Sequence, residues 1–248
     1  NSSALVKAMQ PQPVPISRIR KPRKNKKKQY TMKRFYKKVS IVKEGEGYAV
    51  QLDGKPIRTP SKSILIAGNE NLAALSKAEW DAQEEKINHN TMPVTQLLNT
   101  KQDRISGQRA VLEGEVLKYI NTDLLCYRAD APEELVARQD KIWQPQLAWF
   151  SKQYGLKFQT THGLGALKQD QKIHDVIAGE IRALDDDRFT LVQMITPACG
   201  SIILALAFIK GAASADDLLA CAYLEEDYKF DLYNEQLHGG DPLVGQNG

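Results

Sequence analysis

The sequence predicts an α+β protein, with a small antiparallel β-rich N-terminal domain followed by a larger all-helical C-terminal domain. Three observations carry this. Apolar Tyr48, Val50 and Leu52 alternate with Ala49 and Gln51 just before the turn-former Asp53-Gly54, which is period-two strand patterning. Beyond residue 69, apolar residues recur three and four apart, the spacing of a helix face. Residues 189–209 carry no charge and are split by Pro197 and Gly200, as expected of two buried helices in an α-domain core. The 248 residues are 42% hydrophobic and 26% charged, ordinary globular composition for one large domain or two small ones.

Residues 1–31 lack apolar periodicity and carry closely spaced prolines and a lysine run, so self-repulsion predicts a disordered basic arm. Such an arm serves nucleic acid or an anionic membrane, or is a solvated tail or targeting remnant. The absence of interleaved aromatics favours the blander reading. Order is expected from Met32. Val39–Val42 and Tyr48–Leu52 are strands around the turn Glu44–Gly47, Asp53-Gly54 closes a hairpin, Ile57–Thr59 returns, and Ser63–Ala67 adds one more strand. Asn69 or Asn71 caps a helix through Trp80 that ends in Gln83–Lys86. Thr91–Thr95 is extended or turn-like around Pro93. Ser106 caps a helix bearing Leu112, Val116 and Ile120. Pro132 opens a long helix, kinked at Pro145 and ended by Gly155. A further amphipathic helix carries Ile173, Ile177 and Ile181. Ser214 and Asp217 form a capping-box variant for a last helix running towards Tyr233. The expected divisions are 1–31 (arm), 32–102 (β-rich, with one helix), 103–238 (helical) and 239–248 (flexible tail).

Charge divides the chain in the same way. Of 34 Lys and Arg and 30 Asp and Glu, fourteen basic residues and no acid lie in residues 1–43. Residues 44–248 therefore hold 20 basic and 30 acidic groups, a balance of −10. The uncharged run 189–209 reads poorly as a membrane span, because Pro197 and Gly200 leave two pieces each too short to cross. Cys126, Cys199 and Cys221 include no CxxC pair, which argues against a disulfide framework or zinc cluster. His89, His162, His174 and His238 lie far apart without ligand spacing. No GxSxG, P-loop or GxGxxG occurs, so no catalytic residue, cofactor or metal is predicted.

One cluster stands out. Glu225, Glu226 and Asp227 lie near the middle of the expected last helix, beside an apolar face of Leu218, Leu219, Ala222 and Tyr223. Neighbouring helical residues point in different directions, so three acids in a row do not converge on one substrate. They form a solvated face or a docking surface for a partner's basic or amide groups, with Tyr228 as amphipathic anchor. The partner-binding candidates are therefore Glu225, Glu226, Asp227 and Tyr228.

The order of several segments resembles a known family. These are Gly54–Pro60, Glu79-Trp80-Asp81-Ala82-Gln83, Met92-Pro93-Val94-Thr95, Asp103, Thr122–Arg128, Gln139, Trp143-Gln144-Pro145, Trp149, Tyr154-Gly155, Gly200-Ser201 and Leu224–Tyr228. Over about residues 33–235 the chain is similar to the alpha-subunit assembly chaperones of mitochondrial and alphaproteobacterial ATP synthase. It departs where the family carries a glutamine and then a Trp-Gly pair, since Lys229 and Leu232-Tyr233 stand there. The resemblance implies a β-rich domain joined to a helical one, and a monomer without cofactor or hydrolytic activity. It implies a chaperone that binds the unassembled alpha subunit of the catalytic head until the beta subunit replaces it. It also implies an acidic functional residue in the last long helix, here Glu225 with Glu226 as alternative. Glu225→Lys is then expected to fold and to lose capture. The bacterial cytoplasm, or the mitochondrial matrix in a eukaryote, is the expected compartment. A nucleic-acid-binding module acting through the basic arm is the competing expectation.

Overall fold

A computed structural model of the chain describes residues 32–163 and 165–238, with side chains as far as Asn234. The expected disordered arm, 1–31, and flexible tail, 239–248, lie outside the described residues. The chain divides into two compact units, Asn1–Arg109 and Ala110–Gly248. The division falls inside a helix rather than at 102/103.

In the first unit, strands β2 (Val39–Glu44) and β3 (Gly47–Leu52) pair antiparallel from Val39↔Leu52 to Glu44↔Gly47. Asp53 and Gly54 both take positive φ, 49° and 80°, and lead into β4 (Lys55–Pro56). Two successive positive φ angles are what a tight hairpin requires. Both β4 and β5 (Ile66–Ala67) pair with β3. The expected returning strand over 57–59 is reduced to single contacts, among them an Arg58↔Ile64 bridge. Gly47 is required by a neighbour: a Cβ there would lie 2.5 Å from Ile66 Cγ2 and 2.7 Å from the Ala67 carbonyl. β1 (Met32–Lys33) pairs with β6 (Lys86–Ile87), a contact between distant segments that local patterning does not announce.

Helix α1 (Glu70–Asp81) starts as expected, with Asn69 accepting from the Leu72 amide at 2.9 Å. It buries Ala73 and Trp80 against Val39, Val50, Leu52, Leu65 and Ile87. It stops at Asp81 instead of running through Gln83–Lys86. The Gln83 side chain turns back, donating to the Glu79 carbonyl and accepting from the Asn88 amide. The extended or turn-like segment expected over 91–95 is corrected as well. Met92 is non-helical (φ −128°, ψ 58°), as a residue before proline should be, but Pro93 opens helix α2 (Pro93–Thr100). Its first amides are held from another helix: Val94 N and Thr95 N donate to the two Glu79 carboxylate oxygens at 2.6 and 2.8 Å. Ser106 is itself helical (φ −55°, ψ −23°) and does not act as an N-cap. α2 continues through a π-type turn, Lys101–Ile105, into α3 (Ser106–Leu117), with an internal kink at Gln108.

In the second unit, two-residue strands β7 (Tyr127–Arg128) and β8 (Thr161–His162) pair parallel. Helix α4 (Glu133–Tyr154) is capped by Pro132, carries Pro145 inside one continuous element and ends at left-handed Gly155. Asp170 caps α5 (Gln171–Ala183), and Asp185 caps α6 (Asp186–Cys199). The break in the uncharged run is at Gly200 (φ 67°), not Pro197, which sits within α6. Helix α7 (Ile202–Ile209) buries Ile202 to Ala207 completely and packs against α6 and α4. Each such buried aliphatic side chain contributes about 1.5–3 kcal/mol. Among the described residues, no helix is long and apolar enough to cross a membrane. The expected last helix is two: α8 (Ala215–Ala222), with the Ser214/Asp217 capping box formed, and α9 (Leu224–His238). The Cys221 carbonyl, which a continuous helix would offer to the amide of residue 225, accepts instead from Trp143 Nε1 at 3.0 Å.

Candidate functional site

The α8/α9 break relocates the acidic cluster. Glu225, Glu226 and Asp227 occupy the first turn of α9, not the middle of a helix. Three carboxylates at a helix N-terminus complement its unpaired amides and positive dipole end. Their surroundings differ. Glu225 is half-buried, and its Oε1 accepts from Gln139 Nε2 at 3.0 Å. The Gln139 oxygen in turn accepts from the Ala129 amide at 2.8 Å, so Gln139 ties α9 to the loop before α4. Tyr228 is buried, with the Arg138 guanidinium 5.1 Å from its ring centroid. Arg138 is itself held by Asp231 at 2.7 Å and Glu134 at 2.8 Å. Tyr228 thus faces inward, while Glu226 and Asp227 are exposed.

The exposed side of α8 and α9 carries large apolar groups: Leu219 and Tyr223 from the expected apolar face, and Phe230 and Tyr233, which sequence reading did not single out. Leu219, Tyr223, Phe230 and Tyr233 are each about half exposed or more, Tyr233 reaching 60%. Leu219 belongs to α8 and Tyr223 to its end, while Glu226, Phe230 and Tyr233 follow one another at spacings of four and three within α9 and so share a face of that helix. The buried side holds Leu218, Cys221, Leu224 and Tyr228.

The segments with family resemblance are mostly internal fastenings. Asp123 is wholly buried. Its carboxylate accepts from Leu125 N at 3.1 Å, Ser201 Oγ at 2.9 Å and Ile203 N at 3.1 Å, and so caps α7 across 80 residues of chain. Burial pushes its pKa up to about 6, against the opposing pull of these hydrogen bonds. Arg128 donates to the Leu125 carbonyl at 2.9 Å and lies 5.4 Å from the Trp143 ring centroid. In the first unit, Asp103 accepts from the Ser61 amide at 2.9 Å and bonds its hydroxyl. Burial raises the Cys126 thiol far above its ordinary range and the Cys221 thiol to about 12, so neither is poised as a nucleophile. Among the described residues, no three His, Cys, Asp or Glu side chains gather in a way that could hold a metal.

Known proteins give the same picture. Residues 33–151 match the ATP12 chaperone protein family. Atp12 from Paracoccus denitrificans is 34% identical and superposes with a TM-score of 0.73, over 84% of this chain and 88% of its own. The Atu1473 protein of Agrobacterium tumefaciens is 36% identical with a TM-score of 0.76, over 86% of this chain and 78% of its own. The protein atp12, mitochondrial, of Schizosaccharomyces pombe is 25% identical over 214 residues, covering 81% of this chain and 73% of that protein.

Proposed function

Because this chain belongs to the ATP12 chaperone family, we propose that it is an assembly chaperone of ATP synthase that captures the unassembled alpha subunit of the catalytic head. It works by binding rather than by catalysis, as a monomer, and holds the subunit until the beta subunit takes its place. The compartment is the bacterial cytoplasm, or the matrix in a mitochondrial setting like that of the S. pombe relative.

The observation that carries this reading is the exposed face of α8 and α9. Leu219, Tyr223, Phe230 and Tyr233 lie there beside Glu226 and Asp227. An orphaned subunit exposes apolar surface that aggregates unless covered. Aromatic side chains supply contact area to such a surface at low entropic cost, and the carboxylates add orientation and charge steering. A contact of modest apolar area with a polar rim dissociates readily, which a temporary cover requires. Glu225 belongs to this reading through its position, anchored by Gln139 at the edge of the face.

The direct test is capture of purified alpha subunit by the full chain. Glu226→Lys and Tyr233→Ala are each expected to weaken capture at least tenfold while circular dichroism and melting stay unchanged. Full capture by both folded variants would overturn the placement. Deleting residues 1–31 separates the chaperone from the nucleic-acid reading. A chaperone keeps its client, whereas a nucleic-acid binder loses a salt-dependent affinity.

A further inference from the structure

The first unit contains a second surface that the proposed function does not use. A cleft of about 710 Å³ opens beside the β2–β4 sheet and α1. Met32 and Phe35 line it and remain 52% and 62% exposed, although both are large and apolar. Tyr36 and Trp80 also line it, with ring centroids 5.8 Å apart in an edge-to-face arrangement. Trp80 is only 5% exposed, and its Nε1 has no hydrogen-bond partner among the described residues. Asn99, another lining residue, has a buried Oδ1 that likewise lacks one. A buried indole N–H and a buried amide oxygen each cost free energy when left unpaired. Both unpaired groups belong to residues of the same cleft.

We infer that this cleft binds an extended, apolar segment of polypeptide bearing a carboxylate, supplied by the client. Three features select that chemistry. A peptide unit offers one carbonyl acceptor and one N–H donor, the complement of the unpaired donor and acceptor, which lie beneath the cleft surface and are reached when the Trp80 and Asn99 side chains turn towards the segment. Phe35, Met32 and the Tyr36–Trp80 pair provide an aromatic and thioether surface for apolar side chains. The charge is positive: Lys55 and Arg58 line the cleft, while the one lining carboxylate, Asp53, is already held by the Lys37 and Lys38 amides at 2.8 to 3.1 Å. An acidic residue in the segment therefore meets a lining that holds two cations to one carboxylate. Assignment of the segment to the client rests on the chaperone reading above; the peptide chemistry does not.

The test uses the full chain labelled with ¹⁵N and overlapping fifteen-residue peptides covering the alpha subunit. The expected result is that a few apolar peptides containing Asp or Glu move the Trp80 indole resonance, while that of Trp143, bonded to the Cys221 carbonyl, stays in place. Phe35→Ala, a surface change that leaves the core intact, should weaken those peptides at least tenfold, and Lys55→Glu should weaken them by a similar factor. If no peptide moves the Trp80 signal, or Phe35→Ala binds them as tightly as the unaltered chain, the inference is overturned, whatever happens to whole-subunit capture. If the peptides bind as described but the intact alpha subunit is not captured, the cleft stands and the functional reading falls.

Discussion

Two groups of carboxylates in the helical unit sit at helix N-termini and meet opposite fates. Asp123 is supplied from a distant segment to the start of α7, is fully buried, and is surrounded by donors from Leu125, Ser201 and Ile203. Glu226 and Asp227 lie in the first turn of their own helix, α9, and face solvent. The dipole argument is the same for both. Burial sets the difference: a buried carboxylate is bound into the fold by every bond it accepts, whereas an exposed one adds little stability. Glu225, half-buried and bonded to Gln139, lies between the two.

That contrast predicts a graded series. The largest effect is expected from Asp123→Ala, which orphans buried backbone amides at the start of α7 and should cost about 3–5 kcal/mol in urea unfolding. A cost below about 1 kcal/mol would break the comparison at its buried end. The next effect is a pH dependence. Asp123 in the folded chain titrates near 6, above its ordinary 3.8. Between those values the folded chain holds a proton that the unfolded chain has released, so the contribution of this group to stability falls as pH rises through the window. The loss is about 2.4 kcal/mol between pH 4 and pH 7. It is read as the stability difference between the unaltered chain and Asp123→Asn, which cannot titrate. A difference independent of pH would refute it. Glu225→Gln keeps the shape but removes the charge facing Gln139 and the helix terminus, at an expected cost of about 1 kcal/mol. Glu226→Lys comes last, within about 0.5 kcal/mol of the unaltered stability, although its effect on client capture is the greatest.

The architecture was legible where a local signal had a local consequence. Asp53-Gly54 demanded a hairpin, Asn69 or Asn71 a helix start and Ser214 another, and the apolar run split at Pro197 and Gly200 demanded two buried helices. Signals overridden by distant partners were not legible. Pro93 reads as a break, yet Glu79 makes it a helix start by taking the next two amides. Residues 214–233 read as one helix, yet Trp143 removes the carbonyl that would have continued it. The site suffered from the same break. The acids could be found in the sequence, but their place in the first turn of a helix depends on where α9 begins, and the inward turn of Tyr228 on what packs against it. The cleft was out of reach, because its unpaired groups, Trp80 Nε1 and Asn99 Oδ1, are defined only by what surrounds them.

Gly47 bears on how a protein that shields sticky surfaces keeps from becoming one. The two-residue strand β5 can lie against Tyr48 and Ala49 only because nothing projects from the α-carbon beside it. Once that strand was lifted away, the flank of β3 would present bare amides and carbonyls, a template for pairing with another molecule. The missing methyl is therefore a safeguard against self-association, placed in the sheet rather than on the proposed docking face.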